Sequence, residues 1–260
     1  MSDTGQVVLI TAGAEGIGRT IAEVFLSRGD AVHVCDVNEN NIAQFLRDFP
    51  GASATQADVS QVDDVRRVFE DINDNYRQLD VLVNNAGIAG PTAAVEDVNP
   101  EDWNRTLAVN LGGPFLFAKY AVPLLKVNGG CIVNVASNAA LTGCPYRAPY
   151  AASKWAVVGL TKTLAMELGR FNVRVNAVCP CSVEGERIES VLEKDASRLG
   201  LSIDEVRDVY QRQSSLRRFV TAQDVADMVA FFASAAARNV SGQVVGVDGH
   251  TESLANPFDT

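Results

Sequence analysis

Short runs of β-branched and other apolar residues alternate along the chain with longer stretches whose apolar positions recur at helical spacing. The runs are Val7-Val8-Leu9-Ile10, Ala31-Val32-His33-Val34-Cys35, Ala52 to Ala57, Val81-Leu82-Val83, Cys131-Ile132-Val133-Asn134-Val135, Val173-Arg174-Val175-Asn176-Ala177-Val178 and Val244-Val245-Gly246-Val247. Several are apolar at consecutive positions, the pattern of a parallel strand covered on both faces. Strands separated by helix-length segments imply right-handed crossovers. They predict an α/β fold with a doubly wound, mostly parallel, seven-stranded sheet and helices on both faces.

The intervening stretches carry helix signals at their ends. Asn99-Pro100-Glu101-Asp102 offers an N-cap followed by proline at the first helical position, while Thr221-Ala222-Gln223-Asp224 and Ser202-Ile203-Asp204-Glu205 have capping-box spacing. Long apolar faces are expected on helices 100–126 and 149–170. Residues 182–218 depart from the alternation, with two helical patterns and no strand between them. Ile188, Val191, Leu192, Ala196 and Leu199 share a face there, and Gly200 is a stop before the cap at Ser202. A helical insertion after a strand's carboxyl end lies where α/β folds bind ligands, so this segment is a candidate substrate lid. No low-complexity linker or repeat divides the chain, which predicts one domain over residues 1–260.

Composition narrows the partners. Apolar residues make up 47% of the chain and charged residues 21%, ordinary for a folded domain. With 22 Lys and Arg against 32 Asp and Glu, the net charge of −10 repels phosphate backbones and anionic lipid, and no basic stripe offsets it. Neither nucleic acid nor a membrane is an expected partner. Residues Met1 to Gln6 lack the basic start of a leader, and no apolar run approaches the ~18 residues of a membrane span, so the expected location is the cytoplasm. The five cysteines, Cys35, Cys131, Cys144, Cys179 and Cys181, fall mostly in strand-like runs, where a free thiol behaves as a small hydrophobe. Only Cys179 and Cys181 are neighbours and the only His are His33 and His250, so no metal site is expected.

Candidate chemistry begins at Thr11-Ala12-Gly13-Ala14-Glu15-Gly16-Ile17-Gly18, which follows the first strand and opens the first helix. Glycines there let the backbone approach a pyrophosphate, whose charge rests on the helix N-terminus. Eighteen residues beyond Gly18 the second strand ends in Asp36, where an acidic side chain accepts hydrogen bonds from the adenosine ribose hydroxyls. Asp36 repels a 2′-phosphate, Glu15 adds negative charge beside the turn, and Val37 brings no arginine to receive one. The pattern predicts a Rossmann-type fold that takes NAD rather than NADP.

A second constellation is Tyr150-Ala151-Ala152-Ser153-Lys154. Positions i and i+4 share a helix face, so Lys154 stacks one turn beyond Tyr150. An ammonium that close favours phenolate in a residue whose ordinary pKa is about 10. Ser137 precedes Tyr150 by 13 residues, and Asn110 precedes Ser137 by 27.

On these motifs the chain resembles the short-chain dehydrogenase/reductase family, from about Val7 to about Asp248. The family's turn reads T-G-x-x-x-G-x-G, matched at Thr11, Gly16 and Gly18, with Ala12 in place of the first glycine. Asp58-Val59 resembles the adenine-contacting pair at the end of the third strand, and Asn84-Asn85-Ala86-Gly87 the N-N-A-G motif after the fourth. Cys179-Pro180-Cys181-Ser182-Val183 is similar to the segment that meets the nicotinamide carboxamide, with Cys181 for the usual glycine and Gly185 where threonine is frequent.

The resemblance implies roles. Tyr150 is the proton donor or acceptor, Lys154 lowers its pKa and holds the nicotinamide ribose, Ser137 hydrogen-bonds the reacting oxygen and Asn110 supports a water-linked relay. The implied cofactor ligands are Thr11, Gly13, Glu15, Gly16, Ile17, Gly18, Asp36, Val37, Asp58, Val59, Asn84, Ala86, Gly87, Pro180 and Val183, with Tyr150 and Lys154. It also implies a homotetramer in which the long helices pair across a two-fold axis.

The expected function is hydride transfer between NAD(H) and an alcohol or ketone. Arg147 and Arg187 flank the expected reaction centre and suggest a polar secondary alcohol of the sugar, polyol, hydroxy acid or sulfonate type; alternatively, they form ordinary ion pairs with Glu184, Glu186 or Glu189. Other readings are a catalytically silent NAD-binding sensor or scaffold, a 3-oxoacyl thioester reductase, or a sugar-nucleotide epimerase or dehydratase. The last usually needs more than the ~80 residues after the sixth strand.

Overall fold

The computed structural model describes residues 5–254, apart from the side chains of Arg187 and Arg198. Every apolar run forms a strand: β1 Val7–Thr11, β2 Ala31–Asp36, β3 Ser53–Gln56, β4 Val81–Asn84, β5 Gly130–Val135, β6 Val173–Pro180 and β7 Val244–Val247. They form one sheet in the order β3-β2-β1-β4-β5-β6-β7, and every neighbouring pair is parallel. The sheet is thus fully parallel, where the sequence suggested mostly so. Strand order reverses between β1 and β4, which opens a crevice at their carboxyl ends.

The helices are α1 Gly16–Ser27, α2 Glu39–Asp48, α3 Val62–Asn75, α4 Pro100–Leu107, α5 Gly113–Asn128, α6 Ala148–Leu168, α7 Glu186–Leu199, α8 Ile203–Gln211 and α9 Ala222–Ala233. Alternate strand residues face opposite sides. Val8, Ile10, Val34 and Val83 pack with Phe25 of α1 and Phe232 of α9, while Leu9, Leu82, Ile132 and Val175 pack with Phe69 of α3 and Phe117 of α5. Two covered faces explain why several of the runs are apolar at consecutive positions. Truncating Phe25 or Phe117, both fully buried, to alanine would cost about 3–5 kcal/mol.

The expected helix over 100–126 is interrupted by a π turn at Ala108–Gly112, between α4 and α5. The whole run Pro100–Asn128 is long and apolar enough to cross a membrane, contrary to the expectation that no run approaches that length. It is a core helix here: Val109, Phe117, Ala118, Ala121 and Leu125 are buried against one face of the sheet.

Both capping boxes form, at Ser202 with Glu205 and at Thr221 with Asp224, and Gly200 ends α7 in the left-handed conformation at φ +68°. In the lid segment Ile188, Leu192 and Ala196 pack with Val206 and Phe219. Val191 does not join them and stays 38% exposed, because it lies off the narrow stripe that α8 covers.

One polar chain crosses the buried face of β2 and β3. His33 Nε2 meets Thr55 Oγ1 at 2.9 Å, Thr55 donates to the Asp71 carboxylate, His33 Nδ1 meets Ser53 Oγ at 2.7 Å, and Ser53 Oγ meets Tyr76 Oη at 2.7 Å. Thr55 spends its one proton on a group that only accepts, so His33 must carry its proton on Nε2 and accept from Ser53 on Nδ1. Burial pushes the His33 ring down to about 4, partly opposed by Asp71. The unfolded chain takes up a proton near 6.5 and the folded chain only near 4, so this contribution is complete above 6.5 and lost as pH falls through 4. It is worth up to about 3 kcal/mol. In urea titrations at pH 7 and pH 4.5, the drop in midpoint is expected to be smaller in His33→Gln than in the parent; equal drops would contradict this.

Candidate active site

The turn after β1 is built on positive φ. Gly16 sits at +55° and Ala12 at +48°, where the left-handed backbone costs an alanine about 1 kcal/mol or more. The second asparagine of N-N-A-G braces this departure from the family pattern: Asn85 Nδ2 donates to the carbonyls of Thr11 and Ala12, both at 3.1 Å. Thr11 Oγ1 accepts from the backbone N–H of Asn85 and Ala86, both at 2.9 Å. A Cβ on Gly18 would lie 2.0 Å from the Ala12 carbonyl, whereas a Cβ on Gly16 would meet nothing within 4 Å. The turn is therefore tight toward the protein and open toward the crevice, which fits a pyrophosphate at the start of α1.

Beside the turn, Asp36 is nearly buried at 9% exposure and accepts from Ala14 N at 3.4 Å and Asn38 N at 3.1 Å. Val37 is exposed, and Glu15 accepts from Asn41 Nδ2 at 2.5 Å. Asp58 accepts from Ser60 N and Oγ and pairs with Arg105 at 2.9 Å. These hydrogen bonds and the guanidinium overcome partial burial and hold the Asp58 carboxyl below its ordinary range. Val59 is buried where it packs against Gly113, whose absent Cβ would lie 2.9 Å from it. Asn84 donates across the sheet to Asn134 Oδ1 at 2.8 Å. Ile17 packs on the core cluster, and Gly13 donates to the Cys35 carbonyl.

The π turn carries Asn110, which is fully buried. Its Oδ1 accepts from Ile88 N at 2.8 Å, while Nδ2 donates to the Ile88 carbonyl at 3.0 Å and to Ser153 Oγ at 3.1 Å. Both amide hydrogens are thereby used. Ser153 donates in turn to the Tyr150 carbonyl at 2.7 Å. Lys154, 4% exposed, donates to the Val135 carbonyl at the end of β5 at 3.0 Å and lies 5.8 Å from the centre of the Tyr150 ring. Gly87 makes room for this group, since a Cβ there would lie 3.3 Å from both Lys154 Nζ and Asn110 Oδ1. Ser137, just past β5, accepts from Ala139 N at 3.2 Å and opens a short 3₁₀ turn.

Across the crevice Pro180 closes β6, and Val183 bridges to Val220. Gly185 caps α7 at φ +138°, a conformation that favours glycine over the threonine frequent at this position. Cys179 is buried and its thiol is pushed up to about 11 by that burial, and burial likewise raises Cys144. Both are neutral thiols at ordinary pH. Arg147 donates to the Ala89 carbonyl at 2.8 Å and lies over the Tyr150 ring at 5.0 Å. The side chain of Arg187, expected at the substrate, lies outside the described residues.

The structure thus gathers Asn110, Ser153, Lys154 and Tyr150 with Gly87 at the carboxyl ends of β4 and β5. Sequence reasoning missed Asn85, Ser153 and Arg105 as bracing groups. Ser153 lay within the quoted motif, three residues beyond Tyr150 and so on its helix face; Arg105 gave no local signal.

Residues 11–250 match a family profile described as enoyl-(acyl carrier protein) reductase. The 3-oxoacyl-(acyl-carrier-protein) reductase of Thermotoga maritima is 36% identical over 94% of this chain and 97% of its own. A 3β-hydroxysteroid dehydrogenase of Mediterraneibacter gnavus is 32% identical over 94% of each chain. The crystal structure of an actinorhodin polyketide ketoreductase with NADPH superposes with a TM-score of 0.89 at 34% identity, covering 94% of this chain and 96% of that one. With the motifs placed on this parallel sheet and likeness running nearly end to end, the chain belongs to the short-chain dehydrogenase/reductase family of oxidoreductases.

Proposed function

We propose that this protein interconverts a polar secondary alcohol and its ketone with NAD(H), using Tyr150 as acid/base. The observation that carries this reading is the hydrogen-bonded frame running from Asn110 through Ser153 to Tyr150, with Lys154 held beside the ring by Val135. Thr11, Gly13, Glu15, Gly16, Ile17 and Gly18 would take the pyrophosphate, Asp36 and Val37 the adenosine ribose, and Asp58 and Val59 the adenine. Asn84, Ala86, Gly87, Lys154, Tyr150, Pro180 and Val183 would border the nicotinamide half. The bound dinucleotide supplies the hydride acceptor or donor.

The remaining work falls to this chain's own groups. Ser137 Oγ hydrogen-bonds the substrate oxygen, Tyr150 Oη takes its proton during oxidation and returns it during reduction, and Lys154 favours the phenolate. Asn110, its amide hydrogens committed, braces the frame. The segment 182–218 closes over the substrate.

Reduction of a 3-oxoacyl thioester is a second reading, favoured by the activity in the name of the Thermotoga relative. Against it stands the lip of the lid, where Glu184, Glu186, Glu189 and Glu193 lie with Arg207; among the described side chains that surface is mostly acidic and repels an anionic carrier arm. A panel of polyols, sugars, hydroxy acids and other secondary alcohols with NAD, and of acetoacetyl thioesters with NADH, read by absorbance of the reduced cofactor, tests both. Turnover of none of them would leave the silent-sensor reading.

The free cysteines suit the cytoplasm. The apolar band on α5 and α6, where exposed Phe115 and Met166 flank half-buried Leu160 and Leu164, suits pairing of protomers into a homotetramer. A monomer mass in light scattering at micromolar concentration would refute that assembly.

A further inference from the structure

We infer that Arg147 is a positioning residue for Tyr150, holding a second positive charge on the phenol ring beside that of Lys154. This rests on the proposed role of Tyr150 as acid/base. The two cations reach the ring from different places. Lys154 comes from one turn along α6, with its ammonium 5.8 Å from the ring centre, and Arg147 from the residue that caps α6, with its guanidinium carbon 5.0 Å away. Three contacts fix the arginine there. Its backbone N–H donates to the Cys144 carbonyl at 3.3 Å, its carbonyl accepts from Ala151 N at 2.9 Å, and its Nη2 donates to the Ala89 carbonyl on the loop after β4 at 2.8 Å. The adjacent Ala93 N to Tyr146 carbonyl bond, at 2.9 Å, pins the same two loops together. A guanidinium keeps its charge at every working pH, and its plane suits an aromatic face, so the second cation is permanent.

The other titratable groups around the site leave this pair in control. Cys179 from β6 and Cys144 from the loop before α6 are neutral thiols, their acidity suppressed by burial. Cys181 follows β6, and Tyr146 on the same loop as Arg147 is exposed. Asp248 after β7 is committed to Asn138 Nδ2 at 2.5 Å and His250 N at 2.9 Å. On α4, Glu101 and Asp102 are exposed and Arg105 is paired with Asp58. Two fixed cations against one occupied carboxylate favour the phenolate, the form that accepts the alcohol's proton.

The test compares the parent with Arg147→Met, which removes the charge, and Arg147→Lys, which keeps it without the planar fork. Full-length protein labelled with ¹³Cζ-tyrosine, with and without added NAD, gives signals for five tyrosines, and Tyr150→Phe assigns the one in question. The Tyr150 titration midpoint is expected to rise by about one pH unit in Arg147→Met and by less in Arg147→Lys. The rising limb of kcat/KM for alcohol oxidation is expected to move alkaline by the same amount, so that activity near neutrality falls about tenfold. A midpoint in Arg147→Met equal to that of the parent overturns the inference, as does a uniform loss of kcat at every pH with an unmoved profile, which is the mark of a merely structural arginine. If Arg147→Met fails to fold, the control is Arg47→Lys, at an exposed arginine in the last turn of α2: a Tyr150 midpoint raised above that of the parent by more in Arg147→Lys than in this control supports the inference, and no difference overturns it. The tyrosine signal needs no turnover, so it judges Arg147 even if Tyr150→Phe stays active and the acid/base reading itself fails.

Discussion

Tyr150→Phe is expected to reduce turnover by about 10²–10⁴-fold while the cofactor still binds. The substitution preserves the ring and its contacts with Arg147 and Lys154, and it removes only the hydroxyl that would exchange a proton with the substrate. The dinucleotide turn is built by Thr11, Ala12, Gly16 and Asn85, none of which touches that hydroxyl, so cofactor affinity measured by fluorescence quenching is expected to stay within about threefold. A loss confined to kcat marks a group that acts in the transition state. A variant retaining more than about a tenth of parental activity would remove Tyr150 from the mechanism.

NAD is expected to bind about a hundredfold more tightly than NADP. Asp36 is 9% exposed and already accepts from Ala14 N and Asn38 N, so it is fixed in place when a 2′-phosphate arrives. The residues that follow, Val37, Asn38, Glu39, Asn40 and Asn41, bring no cation, and Glu15 and Glu39 add negative charge. Placing a dianion against that carboxylate costs several kcal/mol with nothing to offset it. Asp36→Ala is expected to close most of the gap, chiefly by improving NADP. Titration of both cofactors by calorimetry decides the matter, and equal affinities for the parent would overturn the assignment of Asp36. The related actinorhodin ketoreductase was solved with NADPH, so the same titration tells whether the present chain departs from that protein in its cofactor.

Much of this architecture was legible because the physics that shapes it is local. Consecutive Val, Ile and Leu at β1 and β4 announce strands covered twice, Ser202 and Thr221 announce helix starts through hydrogen bonds that span three residues, and Pro100 announces one through its fixed φ at the first helical position. Tyr150 and Lys154 were legible because a helix puts i and i+4 on one face. What escaped depends on distant partners. Nothing in Ala108–Gly112 marks a π turn; it widens where Asn110 must reach both Ile88 and Ser153. In the sequence Ala12 shows only as a replacement of the family's first glycine, and its left-handed backbone with the Asn85 clamp across 73 residues emerges only in three dimensions. Val191 has the right spacing for the buried stripe, yet α8 covers too little of α7 to include it. Arg147 carried a charge that pointed to a substrate, while its partner, the Ala89 carbonyl, is a backbone atom that no sequence pattern can nominate.

The clamp at Ala12 has a consequence for how substitutions combine. Asn85, Ala86, Gly87 and Ile88 form a four-residue bridge tied at one end to the Thr11–Ala12 backbone and at the other, through Asn110 and Ser153, to the carbonyl of Tyr150. A change at either end loosens the same bridge. Free-energy losses from substitutions at Asn85 and at Ser153 will therefore not sum, because the second removes rigidity that the first has already released. The coupling term of a double-mutant cycle between those two positions, which share no direct contact, measures the stiffness of the bridge itself.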